Sequence, residues 1–210
     1  GLRMRETTPL LRQLWAGDCA HEGEFYQFPS TTSAPKPVQK DGPPIWIAAR
    51  DINSHSFGVD NGFNIQVTPL WQGIDEITDL MNKFNEACAA YDGPRPKIML
   101  LHHTYVGVDS DDTAVASQQL SKFYNYFGAW FKNERPVQQG LIERISDKDL
   151  EANKMNNLTI GTAQEVIDQI KRYEDLGYDE FAFWTDSGMD FARKRESLSR
   201  FINDVMPAFT

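Results

Sequence analysis

The sequence predicts an α/β fold in which parallel strands alternate with helices, and three observations predict it. Short apolar runs recur at Ile45–Ala49, Asn64–Val67, Ile98–Val106 and Phe181–Thr185. Between them lie segments of helical period, clearest at positions 77, 80, 81, 84, 87 and 88, where apolar side chains fall on one helix face. Boundary signals separate the two kinds of segment: Asp92-Gly93-Pro94 is a stop, and Thr162 with Glu165 three residues on is a start. Strand–helix alternation implies parallel pairing through right-handed crossovers. Four such units make half of an eight-stranded (β/α)8 barrel, whose usual length is about 200 to 400 residues. Half a barrel leaves two open edges, so the missing half or a homodimer partner is expected to cover them.

The elements follow in order. Leu10, Leu11, Leu14 and Trp15 stand at helical spacing after Arg5-Glu6, with no Met at position 1. The chain reads as starting inside an element and as the C-terminal part of something longer. Residues 17–42, rich in Gly, Ser, Thr and Pro, are expected to form a long connection of extended character. Ile45–Ala49 is strand one, with a helix near 53–61. Asn64–Val67 is strand two, ending at Thr68-Pro69 and Trp71, with a helix from Ile74 to Tyr91. Ile98–Val106 is strand three. Asp109 to Trp130 reads as a helix whose first turn is acidic, as the helix dipole favours. Residues 131–160 are irregular and polar, with short helices expected at 137–145 and 147–153. A capping box opens a helix at 163–176, Gly177 closes it, Phe181–Thr185 is strand four, and a helix at 190–206 ends the chain. A single domain, 1–210, is expected, with 107–160 as a lid or specificity region, because long irregular loops in barrels tend to carry function.

Composition narrows the classes. The 210 residues are 40% hydrophobic and carry 21 basic against 30 acidic side chains, a net charge of −9. No run of five basic residues occurs, which argues against a nucleic-acid or anionic-membrane partner. No apolar stretch approaches the ~20 residues that span a bilayer. Cys19 and Cys88 are far apart and in no metal-ligand spacing, which fits free thiols in a reducing, cytoplasmic compartment.

Residues 43–62 concentrate the functional signal. The apolar run Pro44–Ala49 breaks into Arg50-Asp51-Ile52-Asn53-Ser54, which reads as a strand, a short loop and a helix with unpaired first-turn amides. Such a helix start accepts anions, and at the C-terminal end of a barrel strand it would hold a phosphorylated cofactor. Ser54 and Arg50 are the candidate phosphate contacts, and Asp51, itself an anion, opposes them unless it points away. The alternative is an ordinary N-cap by Ser54 or Asn53. His102 and His103 must face opposite sides of strand three, so one of them enters the barrel interior near its C-terminal end. Trp71, His103 and Trp184 are the candidates to contact substrate, Trp184 by stacking on a flat ring; core packing is the alternative. Phe123, Tyr124, Tyr126, Phe127, Trp130 and Phe131 line either an apolar channel or a helix interface. No metal site is expected, and HExxH, GxSxG and P-loop patterns are absent.

In order and spacing the chain resembles the bacterial luciferase-like family of flavin-dependent monooxygenases. The resemblance rests on LLRQLWAG, HEGEFYQF, PKPVQKDGPPIWIAA, IGTAQEVIDQIKRYEDLGYDEFAFW and SLSRFINDVMPAF. It implies a (β/α)8 TIM barrel of which this chain holds roughly the C-terminal four units, using reduced FMN or, in one branch, the deazaflavin F420, often as a dimer and supplied by a flavin reductase. It implies oxygen transfer to a small organic substrate and places the flavin phosphate at Arg50, Asp51 and Ser54. The family often has Ser or Glu-Ser where this chain has Arg50-Asp51, and the strands that carry its catalytic histidine have no counterpart here. The resemblance assigns that role to none of the four histidines, and a truncated, non-catalytic flavin-binding or domain-swapped protein is the other reading.

Overall fold

A computed structural model describes residues 1–70, 72–132, 135–146, 158–185 and 188–209. Helix α1 (Leu2–Ala16) leads into strands β1 (Cys19–Glu22) and β2 (Gln27–Thr31), which pair antiparallel. Glu6 of α1 organises this hairpin. One carboxylate oxygen accepts from Tyr26 N–H at 2.9 Å and meets His21 Nε2 at 3.0 Å, and the other accepts from Phe25 N–H at 3.0 Å. The extended character expected of residues 17–42 is therefore partly a paired hairpin, because Glu6 satisfies turn amides that a free loop would leave to water.

The elements that follow are β3 (Trp46–Ala48), α2 (Ile52–Asp60), β4 (Asn64–Val67), α3 (Ile74–Ala89), β5 (Ile98–Val106) and α4 (Ser110–Lys132). Then come β6 (Val137–Gln138), β7 (Leu141–Ile142), β8 (Leu158–Gly161), α5 (Ala163–Leu176), β9 (Glu180–Trp184) and α6 (Phe191–Arg200). A π turn, Phe201–Val205, and a 3-10 turn, Met206–Ala208, close the chain where one helix over 190–206 was expected. Strands β3, β4, β5, β8 and β9 form one parallel sheet, as the alternation predicts. Met99 pairs with Gln66 and with Glu180, and His103 pairs with Leu158 and with Trp184. A residue has two edges, so β9 lies on one side of β5, while β4 and β8 share the other.

Two expectations for residues 131–160 are corrected. The helix expected at 137–145 is the hairpin β6–β7, because Gln139 and Gly140 both take positive φ, 50° and 80°, and reverse the chain in two residues. Leu158–Gly161 is a strand on β5 rather than part of an irregular segment. The helix expected at 147–153 lies outside the described residues.

Register assigns the sheet faces. Ile47, Ile65, Val67, Ile98, Leu100, Phe181 and Phe183 share the face under the helices. There Ile65, Val67, Ile98 and Leu100 are fully buried with Phe57, Leu80 and Phe84 of α2 and α3. Each such aliphatic side chain contributes roughly 1.5–3 kcal/mol. Helix α3 buries Ile77, Leu80, Met81, Phe84 and Ala87, a stripe at helical spacing. Helix α5 starts at the capping box, where Thr162 N–H donates to Glu165 at 2.8 Å, and ends at Gly177, whose φ of +105° suits a residue without Cβ. On the other face stand Trp46, Ala48, Asn64, Gln66, Met99, Leu101, His103 and Trp184, the face a closed barrel would turn inward. Over β3 and β4 these side chains are at most half-buried. Over the C-terminal half of β5, helix α4 covers that face.

Candidate functional site

The C-terminal ends of β3, β4, β5 and β9 bring most candidate residues to one end of the sheet. At the end of β3, Asp51 is the N-cap of α2 rather than Ser54 or Asn53. Its carboxylate accepts from Ser54 N–H at 3.1 Å and from the Ser54 hydroxyl at 2.7 Å. Those bonds, the Ser54 hydroxyl first, hold the Asp51 carboxyl below its ordinary pKa. One first-turn amide expected to be unpaired, that of Ser54, thus already serves an internal carboxylate. Arg50 turns to the neighbouring loop, donating to the Thr68 carbonyl and pairing with Glu76. Arg50, Asp51 and Ser54 thus stand together after β3, and a phosphate at this helix start would meet the Asp51 charge.

At the ends of β5 and β9 the aromatic candidates converge. His102 and His103 take opposite faces, as alternation requires. His102 lies under α5, with Nδ1 2.7 Å from Thr159 Oγ1 and its ring edge-on to Tyr173 at 5.9 Å. Burial, reinforced by neighbouring His103, lowers its pKa to about 3. His103 faces the other way, bonds through Nδ1 to the Tyr124 hydroxyl, and packs on Trp184 at 4.6 Å between ring centroids. His103 is buried while Trp184 is 41% exposed, so one rigid ring backs one accessible ring. Phe123 closes the group, 5.7 Å from His103. Trp71 lies outside the described residues.

A family model described as luciferase-like monooxygenase matches residues 2–180. The chain belongs to the luciferase-like monooxygenase family. It is 56% identical, over its whole length, to "Flavin-dependent trigonelline monooxygenase, oxygenase component" of Acinetobacter baylyi, of which it covers 61%. Among solved structures it resembles monooxygenase RslO1 from Streptomyces bottropensis, with a TM-score of 0.73, 19% identity, and coverage of 95% of this chain and 59% of that one. It also resembles the coenzyme F420 dependent tetrahydromethanopterin reductase from Methanopyrus kandleri, with a TM-score of 0.74, 12% identity, and coverage of 99% and 63%. The chain thus spans about three-fifths of the length of these relatives. The structural likenesses establish the fold, that of the luciferase-like barrels.

Two residues of this luciferase-like chain organise the site and escaped sequence reasoning. Glu76, in the first turn of α3, is buried and its Oε2 accepts from Leu70 and Gln72 N–H at 3.0 and 3.1 Å, shaping the loop after β4. Asp112 accepts from Tyr105 Oη at 3.0 Å and Val108 N–H at 3.0 Å, and pairs with Arg193 and Arg200, tying the β5 loop to α6. Both read in sequence only as acids of a helix first turn, because their distant partners have no sequence spacing. A cleft of about 1020 Å³ among α3, α4 and α5, lined by Gln72, Thr113, Asp168, Arg172 and Tyr173, contains none of the candidates. Among the described residues no group of three potential metal ligands occurs, and no helix is long and apolar enough to cross a membrane.

Proposed function

We propose that the protein carrying this chain is the oxygenase component of a two-component flavin-dependent monooxygenase, fed with reduced flavin by a separate reductase. The 56% identity across the entire chain to an oxygenase component of that kind carries the reading. Bound reduced flavin would supply the activation of O₂ and the oxygen transfer. The chain's own part is to position the substrate and keep water away from it. His103 and Trp184, joined at the C-terminal end of β5 and β9, form the proposed substrate wall, with Trp71 as a further candidate; trigonelline is the first substrate to try. FMN is the proposed flavin and Arg50, Asp51 and Ser54 its proposed phosphate end, with Asp51 giving up the Ser54 donors on binding. Residues 107–160 are the proposed lid, and the open sheet face the proposed seat of the remaining barrel strands or of a second copy.

F420 is the second reading, favoured by the fold likeness to an F420-dependent reductase. Anaerobic titration of the full-length protein with reduced FMN and with reduced F420 separates the two. Admission of O₂ with trigonelline then tests turnover. Binding of reduced FMN followed by oxygen-dependent loss of substrate is expected. Binding of neither cofactor would sink the reading.

A further inference from the structure

Guanidinium groups of this chain cover several of its ring faces. Arg12 lies 4.6 Å from the centroid of Phe63, Arg5 4.8 Å from that of Phe57, and Arg95 4.9 Å from that of Phe84. The face is the negative part of an aromatic ring, so a cation above it is attracted. Trp184 has no such cover. It is 41% exposed at the last position of β9, and no arginine or lysine of the described residues lies over its ring. Phe123, 37% exposed, is likewise without a cation, and both rings pack against His103, with centroids 4.6 and 5.7 Å from it. The two open rings therefore belong to one wall. Strands that complete a barrel would pair along the edge of β9. The Trp184 side chain instead stands on the inward face at the C-terminal mouth, where barrels take their ligands.

We propose that Trp184, flanked by Phe123, is a specificity-determining residue that selects a flat ring carrying a positive charge, of the N-alkylpyridinium kind. This rests on the proposed substrate wall and names the class of substrate it takes. The charge of such a ring is spread over its plane, so stacking on the indole supplies burial and electrostatic attraction in one contact. Tryptophan gives the strongest attraction of this kind among the aromatic side chains. A neutral ring of the same shape keeps the burial and loses the attraction. His103, buried behind both rings, backs them and needs no contact with the ligand. The net charge of −9 adds a long-range pull on any cation, which salt screens, whereas a contact on the indole face persists in salt.

The N-methylpyridinium ion and toluene share size and shape and differ by one charge, so their affinities isolate the proposed attraction. Both are titrated into the full-length protein by ligand-detected NMR in about 0.5 M salt, where the Debye length falls to about 4 Å. N-methylpyridinium is expected to bind about tenfold tighter. In W184F, which keeps a smaller ring, that ratio is expected to fall several-fold, and in W184L to approach one. The wild-type and W184F ratios decide the matter even where W184L does not fold. Equal affinities, binding of neither probe, or a ratio that the variants leave unchanged overturns the proposal. A preference present in low salt and lost in high salt also overturns it, because net charge alone accounts for that. Neither titration needs flavin. A protein that shows the ratio and binds no flavin fails the oxygenase reading alone, and one that binds flavin with equal affinities for the probes fails this proposal alone.

Discussion

The Arg50 guanidinium and the Glu76 carboxylate are paired across the loops that follow β3 and β4. The partners are unequal: the Arg50 side chain is 47% exposed and that of Glu76 is 8%. Removing Glu76 strands two loop amides and a guanidinium, whereas removing Arg50 leaves a carboxylate still held by two N–H groups. E76A is expected to cost about 3 kcal/mol and R50A under about 1 kcal/mol, read by urea denaturation. Equal costs would show that the pair, not the loop, is what Glu76 serves.

Asp51 separates charge from capping. Asparagine caps as well as aspartate does, so D51N is expected to leave stability nearly unchanged, while D51A loses about 1 kcal/mol. The Asp51 pKa is depressed on folding, so its contribution is present above the ordinary value of 3.8 and is lost as pH falls through the folded value. The wild-type advantage over D51A should therefore vanish in strong acid. If flavin phosphate binds at this helix start, D51N should tighten FMN several-fold and leave riboflavin, which lacks the phosphate, unmoved. Identical changes for the two ligands would place the phosphate elsewhere.

Buried histidines make the fold acid-sensitive. His55 is fully buried on α2, with neither ring nitrogen hydrogen-bonded among the described residues, and burial lowers its pKa to about 4. Between its ordinary 6.5 and about 4 the unfolded chain binds a proton that the folded chain refuses, so stability falls as pH falls through that window. His102, lowered to about 3, adds to the same slope. H55L should flatten the stability-versus-pH curve by about 2 kcal/mol across pH 6.5 to 4 while leaving pH 8 little changed. An unchanged slope in H55L would assign the acid sensitivity to other groups.

Arg95 joins three segments. It makes two bonds to the Asp179 carboxylate at 3.0 and 2.9 Å, donates to the Gly177 carbonyl at 3.0 Å, and lies 4.9 Å over the Phe84 ring. R95A is expected to cost about 1 kcal/mol, given its exposure, and R95K is expected not to restore it, because an ammonium cannot reproduce the planar fork. G177A should cost a similar amount, since its φ of +105° disfavours any Cβ. Thermal melts of the three variants measure both.

Local signals carried the strand–helix alternation. The four apolar runs, the stripe of α3 and the capping box of α5 each depend on residues within a few positions of one another, so the sequence alone determined them, together with the family. It also determined that His102 and His103 face apart, because alternation is a property of any strand. What the tertiary structure decided lies in long-range pairing. Strand β8 exists because β5 offers it an edge, 137–145 is a hairpin because two residues take positive φ, and Asp51 rather than Ser54 caps α2. The pairing of His103 with Trp184, 81 positions apart, and the hydrogen bond between His103 and Tyr124 arise only when β5, β9 and α4 meet. Period and capping are short-range and therefore legible in sequence. Which hydroxyl an imidazole finds, and which carboxylate a guanidinium finds, depend on neighbours that folding alone brings together.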